Sequence, residues 1–341
     1  MTTTPTASEH SRRRPRTAKA MLAAASVLLA ACSSQGGAAA GAQNTSSGAS
    51  SSCSGPTRTI AVVSHGKQGD SFWDIVKKGS EDGGTAECVK VTYQGSGNPN
   101  EQSQAIDSAV AQGVAGIVVS MANPDGLKTS VKAAVAKGIP VITINSGADR
   151  SAEFGAIGHL GQSENSAGAG AGGKLKQAGV TNLLCVIHEA GNIGLEDRCA
   201  GAAKALGAKT TNLQVDVANI AEAQSTVTSK LLADPSINGI LTLNNGVGSA
   251  AVAAVAAAAS SAKVATFDVD SNVIKAVQDG KILFAVDQQP YEQGYLAVVF
   301  LELFLNNGNT VGGGAPVLTG PGFVTKDNAA RVAEYAARGT R

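Results

Sequence analysis

Polar side chains recur directly after short apolar runs in this 341-residue chain, and they are the groups with chemistry to offer. Asp70 follows the run at 59–63, Asn123 the run at 116–120 and Asn145 the run at 140–144. Glu189 and Asn192 come after 183–187, Asn244 and Asn245 after 239–243, and Asp268 and Asp270 after 264–267. Asp287 and Gln288 come after 282–286. Amides and carboxylates in this number suit a ligand rich in hydroxyl groups, because each hydroxyl both donates and accepts. Asn and Asp are also favoured helix N-caps, so any one of them alone signifies little. Together they read as the solvated rim of a pocket. Asp268 stands out, since one carboxylate can accept from two hydroxyls at once. His65 and His188 each follow an apolar run and would border the same cleft.

These residues need elements to hold them. The runs at 59–63, 89–93, 116–120, 140–144, 183–187, 239–243, 264–267 and 282–286 are rich in β-branched residues. They are nearly continuous in apolar character, as strands covered on both faces are. Helical patterns lie between them, such as 127–137, stopped by Gly138-Ile-Pro140, and 272–278, stopped by Asp279-Gly280. The alternation predicts an α/β fold of right-handed βαβ units with parallel sheets. Such sheets bind ligands at the carboxyl ends of their strands. The body is longer than one hydrophobic core usually serves, so two lobes are expected.

Other motifs lead nowhere. Gly168-Ala-Gly-Ala-Gly-Gly173-Lys174 matches Gly-x-Gly-x-x-Gly and the first part of a phosphate-binding loop. Leu175 stands where such a loop needs Ser or Thr for magnesium, so the glycines are expected inside a helix packed closely on a sheet. No Gly-x-Ser-x-Gly elbow supports a serine hydrolase. No Cys-x-x-Cys or His-rich pattern calls for a metal, and no cofactor is called for.

The amino-terminal region carries an address. Arg12, Arg13, Arg14, Arg16 and Lys19 precede an apolar run at 21–30, which ends in Leu29-Ala-Ala-Cys32. This is the order of an export signal. The run is too short to span a bilayer, which takes about 20 residues. Cys32 after two small residues resembles the lipobox of bacterial lipoproteins. The resemblance implies a signal peptide at 1–31, lipid on Cys32, and a chain anchored outside the cytoplasm at the cell membrane. Residues 32–56, mostly Ser, Gly, Ala, Gln and Asn, read as a flexible tether. Without residues 1–31 the chain holds 22 basic against 25 acidic side chains. With no basic run and few aromatics, a nucleic-acid partner is not expected. Beyond Cys32, four cysteines remain, an even number that suggests two disulfides in an exported chain. Cys53 and Cys88 each precede a strand and would meet if those strands are neighbours. Cys185 lies in a strand and Cys199 in the next helix, which makes the second pair.

From about residue 59 to residue 328 the chain resembles the sugar-binding proteins of ABC importers, of the ribose-binding type. The motifs are Asp70-Ser-Phe-Trp73, Gly138-Ile-Pro-Val-Ile142, Glu196-Asp-Arg-Cys-Ala-Gly201, Phe267-Asp268, Ile274-Lys-Ala-Val-Gln-Asp-Gly280 and Asp287-Gln-Gln-Pro290. The resemblance implies two Rossmann-like lobes with parallel central sheets joined by a three-segment hinge. It places 57–158 with 290–318 in one lobe and 159–289 with 319–341 in the other. The hinge crossings would fall near Gly158 and His159, near Gln289 and Pro290, and at 318–320. The implied ligand is a simple sugar or polyol, captured by hinge closure and delivered to an ABC permease by a monomeric receptor without enzymatic activity. Asp70 would accept from sugar hydroxyls, Phe72 and Trp73 would stack on the ring, and Arg198 would donate to its oxygens. Asn245, Asp268 and Gln288 would reach in from the second lobe, with Asn123 and Asn145 completing the rim. One departure is Asn145-Ser146, where the ribose-binding pattern has Asp-Arg, so a charge pair is missing from the pocket. The alternatives are a receptor that closes on a sugar or a furanosyl autoinducer and docks on a signalling partner, and an exported glycosidase. Asp268 and Asp270 suit the latter poorly, being neighbours on one loop rather than groups flanking a bond. A regulator of the lactose-repressor kind is opposed by the export signal.

Overall fold

A computed structural model describes Cys53, residues 58–67 and residues 69–341. The expected signal peptide at 1–31, Cys32 and, apart from Cys53, the expected tether at 32–56 lie outside the described residues. The first part of the body runs β1 (Thr59–Ser64), α1 (Ser71–Ala86), β2 (Lys90–Gly95), α2 (Pro99–Ala111) and β3 (Gly116–Ser120). It continues with α3 (Pro124–Ala136), β4 (Val141–Ile144), α4 (Ala148–Ser151) and β5 (Gly158–Gln162). The second part runs α5 (Glu164–Gln177), β6 (Asn182–Ile187), α6 (Ile193–Leu206), β7 (Lys209–Gln214), α7 (Ile220–Ala233) and β8 (Gly239–Thr242). Then come α8 (Asn245–Ala257), β9 (Lys263–Phe267), α9 (Ser271–Gln278) and β10 (Ile282–Asp287). The chain closes with α10 (Pro290–Asn307), β11 (Val317–Gly320), β12 (Gly322–Val324) and α11 (Ala329–Ala336).

Two six-stranded sheets result, β2-β1-β3-β4-β5-β11 and β7-β6-β8-β9-β10-β12. All pairings are parallel except β10 with β12. Apart from that of the half-exposed edge strand β2, the apolar runs are buried strands because each sheet has a core on both faces. Ile60 and Val62 of β1 pack against Val76 and Leu301, while Ala61 and Val63 of the same strand pack against Ile106 and Leu127. The second sheet repeats this with its own two clusters. Strands β5, β7, β11 and β12 carry no such run. β7, Lys-Thr-Thr-Asn-Leu-Gln, is an edge strand with polar residues, and β5, Gly-His-Leu-Gly-Gln, is short and glycine-rich.

The chain passes between the sheets three times: after β5, between β10 and α10, and between β11 and β12. The first crossing therefore lies at Gln162 to Glu164, not near Gly158 and His159, which are paired within β5. The third lies between Gly320 and Gly322, just past the expected 318–320.

In each half, the helix after the first strand packs on a helix that has just crossed over: α1 on α10, and α6 on α5. Both contacts are backbone-close. A Cβ on Gly168 would sit 2.0 Å from Arg198 O, and one on Gly294 would sit 2.1 Å from Val76 O. The glycine run thus packs on a helix, not on a sheet as its sequence suggested. Only glycine permits such an approach. Both disulfides are present, Cys53–Cys88 with Cα atoms 5.4 Å apart and Cys185–Cys199 with Cα atoms 5.9 Å apart. Among the described residues, no helix is long and apolar enough to cross a membrane.

Candidate functional site

Residues at the carboxyl ends of strands in both sheets line a narrow cavity whose free space, about 280 Å³, is partly open to solvent. The first sheet and its helices contribute His65, Asp70, Phe72, Trp73 and Asn145. The second contributes His188, Glu189, Asn192, Arg198, Asn244 and Asp268, with the apolar Leu195 and Leu243. Gln288 comes from the second crossing.

Local sequence explains why these side chains point inward. Asp70, Asn192 and Asn244 are N-caps of α1, α6 and α8. Each uses one oxygen on its helix: Asp70 Oδ1 accepts from Phe72 N, Asn192 Oδ1 from Gly194 N, and Asn244 Oδ1 from Gly246 N. The remaining polar atoms face the cavity, where Asn192 Nδ2 donates to Glu189 Oε2 and Asn244 Nδ2 to Asp70 Oδ1. Capping and pocket lining are therefore one arrangement. Asn145 and Asp268 follow β4 and β9 with left-handed backbones, φ 60° and φ 65°. Their amides bond the neighbouring strand, Asn145 N to Leu160 O and Asp268 N to Val286 O. Asn and Asp tolerate this conformation better than other residues with a Cβ.

Gln288 joins the halves. Its Nε2 donates to Asp268 Oδ1 (2.6 Å), and its Oε1 accepts from Asn145 Nδ2 (3.0 Å) and Arg198 Nη2 (3.2 Å). Other bonds also cross between the halves. Asn244 Nδ2 donates to Asp70 Oδ1 at 3.3 Å, Asn245 Nδ2 to Ser71 Oγ at 2.8 Å, and Lys67 Nζ to Asp216 Oδ1 at 3.1 Å. This is a closed arrangement. Trp73 stands edge-on to Phe72 and to the His65 ring, with centroids 5.0 and 4.6 Å apart, so the aromatic wall is braced from two sides.

Charge in the cavity is strongly coupled. Arg198 donates to both Glu164 oxygens, from Nε at 2.6 Å and from Nη2 at 3.0 Å, and lies over the Phe267 ring. A buried, bidentate pair of this kind fixes the guanidinium plane. Burial pushes Asp268 up to about 7, against the opposing pull of Arg198 and the Gln288 amide. Burial likewise raises Asp70 to about 6, against the Phe72 N–H. Desolvation lowers His188 to about 4 and moves His65 in the same direction. The Ser120 hydroxyl accepts from the His65 backbone N–H and lies 2.8 Å from Nδ1. His65 Nε2 lies 3.4 Å from Asn192 Nδ2 and 3.8 Å from Glu189 Oε2.

Of the residues singled out from sequence, Asp70, Phe72, Trp73, Asn145, Arg198, Asp268 and Gln288 meet in the cavity. Asn123 does not. It caps α3 and opens on a neighbouring cleft beside Lys67 and Gln102. Asn245 bonds Ser71, and the adjacent Asn244 takes the lining position. The expected solvated rim is also corrected, since Asp268 is only 6 % exposed. Glu164 was not anticipated; its only sequence sign is its place at the start of the helix behind Arg198.

Residues 60–309 match the family described as the periplasmic binding protein domain. A carbohydrate transporter from Acidothermus cellulolyticus 11B, solved in complex with myo-inositol, is 40% identical. The similarity covers 84% of this chain and 100% of that one, with a TM-score of 0.82. An ABC transporter solute-binding protein from Burkholderia graminis, in complex with D-arabinose, is 25% identical over 80% of this chain and 96% of that one, with a TM-score of 0.71. The xylose/arabinose-binding protein XylF of Sulfolobus acidocaldarius is 23% identical over 80% of this chain and 72% of its own length.

Proposed function

The chain belongs to the periplasmic binding protein domain family, and from that premise we propose that it captures a simple sugar or polyol outside the cytoplasm and presents it to an ABC permease. The observation that carries this reading is the cavity between the two sheets, with acceptors and donors from both and an aromatic wall from α1. Relatives bind myo-inositol, D-arabinose, or xylose and arabinose by their descriptions, which fits a ring of hydroxyls as the ligand class.

In this reading Asp70 and Asp268 accept from ligand hydroxyls through the carboxylate oxygens not used on Phe72 N and Gln288. Trp73 and Phe72 cover the apolar C–H face of the ring. Asn145 and Gln288, bonded to each other in this structure, exchange that bond for bonds to the ligand. Arg198, held by Glu164, adds a donor in a fixed plane. The lobes turn about the three crossings, and the ligand favours the closed form because only there do both sets of side chains reach it. Gln289, at the second crossing, has φ 55°, the kind of strained position that recurs where segments move. The lobes are the two sheets with their helices, and the receptor acts as a monomer. A lipid on Cys32 and the tether beyond it keep it near its permease.

A thermal-shift screen against pentoses, hexoses, inositols and sugar alcohols tests this. At a hundredfold excess over its dissociation constant a true ligand stabilises the protein by about 2.7 kcal/mol, a rise easily measured. No shift with any member of the panel would remove the reading.

A further inference from the structure

The cavity holds more acids than bases, and burial keeps Asp70 and Asp268, at about 6 and about 7, partly protonated near neutral pH; a cation seated among them would draw both to the charged form. The cavity's single guanidinium, Arg198, already faces Glu164 through two hydrogen bonds. Three more carboxyls, Asp70, Glu189 and Asp268, line the same space. No other group there supplies a positive charge. His65 and His188 are kept neutral by burial, and Lys67, in the neighbouring cleft, pairs with Asp216. The three acids feel one another: the Glu189 charge acts on Asp70, and the Asp70 charge acts on Asp268.

Each acid also has an oxygen to give. Asp70 and Asp268 direct Oδ1 at protein donors, and among the described residues no hydrogen bond reaches either Oδ2. Glu189 Oε2 accepts from Asn192 Nδ2 at 2.8 Å, while Oε1 is buried with no partner on a residue only 8 % exposed. A buried acceptor without a donor is costly, and a buried charge without a counter-charge more so. A neutral polyol supplies hydroxyl donors and leaves the net charge as it is. An ammonium supplies three donors and cancels one charge in the same place. A carboxylate or phosphate on the ligand would add to the repulsion.

We propose that the preferred ligand is a cationic polyol, an amino sugar or aminocyclitol, with its ammonium seated among Asp70, Glu189 and Asp268. This rests on the sugar or polyol reading above and names the member of that class the cavity is built for.

Isothermal titration calorimetry at pH 6.5 compares matched pairs on the purified protein: D-glucose with D-glucosamine, D-galactose with D-galactosamine, and myo-inositol with its amino-deoxy analogues. D-glucuronate serves as the anionic control. At least one amino member should bind about tenfold or more tighter than its neutral parent, the scale of one charge-assisted contact, and D-glucuronate should not bind. Glu189→Gln and Asp70→Asn, which keep shape and the Asp70 cap, should each narrow that preference. Neutral parents binding as well as or better than every amino partner would overturn the proposal while leaving the sugar reading in place. An amine preference undiminished in both variants would overturn the placement. Binding by no neutral or amino polyol would overturn the sugar reading itself, and this proposal with it.

Discussion

Asp268 and Asn145 show how much a single position determines. Both sit one residue past a strand, both have a left-handed backbone, and each turns its side chain toward the other half of the molecule. The strand-end rule made them visible in the sequence, together with Asp70 and Gln288; Arg198, inside α6, was implied only by the family resemblance. It did not separate Asn244 from Asn245. That choice depends on which residue caps α8, and the cap turns on backbone angles rather than residue type. Burial carries a cost that can be measured. The folded-state value of Asp268 lies at about 7, above the ordinary 3.8. Its protonated form thus favours folding; that contribution is complete below about pH 4 and lost as pH rises through about 7. Asp268→Asn keeps the shape, the acceptor for Gln288 and the left-handed backbone, but has no charge to bury. It should melt about 2–4 °C higher than the parent at pH 8, with the gain shrinking toward pH 4. Scanning calorimetry at the two pH values checks this; an equal shift at both would show that the carboxyl is not the source.

At the scale of elements, the sequence announced eight of the twelve strands among the described residues: seven are covered on both faces and so nearly continuously apolar, while the edge strand β2 was marked by the β-branched and aromatic residues Val89, Val91, Thr92 and Tyr93. The remaining four lie at edges or crossings, where that requirement lapses. The glycine run in α5 was legible as a non-phosphate loop, but its task was not. It lets α5 approach α6, which carries Asn192 at its cap and Arg198 nearly two turns on. Gly168→Val should therefore force the helices apart, destabilising by about 1–3 kcal/mol or more and loosening Arg198 from Glu164. Gly173→Ala, where a Cβ meets nothing within 4 Å, should instead stabilise by about 0.5–1 kcal/mol. Urea unfolding of the two variants decides; equal destabilisation would mean the close contact is not the cause. The Cys185–Cys199 bond ties β6 to the same helix across 14 residues. Alkylation of the unfolded, unreduced protein should label none of Cys53, Cys88, Cys185 and Cys199. Reduction should lower stability by about 2–4 kcal/mol. Labelling before reduction would show the thiols are free.

At the scale of the whole molecule, the two-sheet plan was readable from chain length and the repeated strand–helix alternation. The second crossing falls at Gln289 and Pro290 as expected, but the first and third were not readable, because β5 and β11 continue the first sheet up to the point where the chain leaves it. The two sheets are knit by Gln288, Asn244 and Asn245, each bonded to a partner from the opposite half. A ligand that replaces part of this network must be polar on its edge and flat on one face, as sugar rings and cyclitols are. The measurement that bears most directly on this account is calorimetric titration of the ligand found by thermal shift into the parent protein and into Asp268→Asn. The account predicts one ligand per chain for the parent and a loss of about tenfold to a hundredfold in affinity for the variant, the worth of one charged acceptor. Unchanged affinity in a folded Asp268→Asn protein would place the ligand elsewhere and contradict the site.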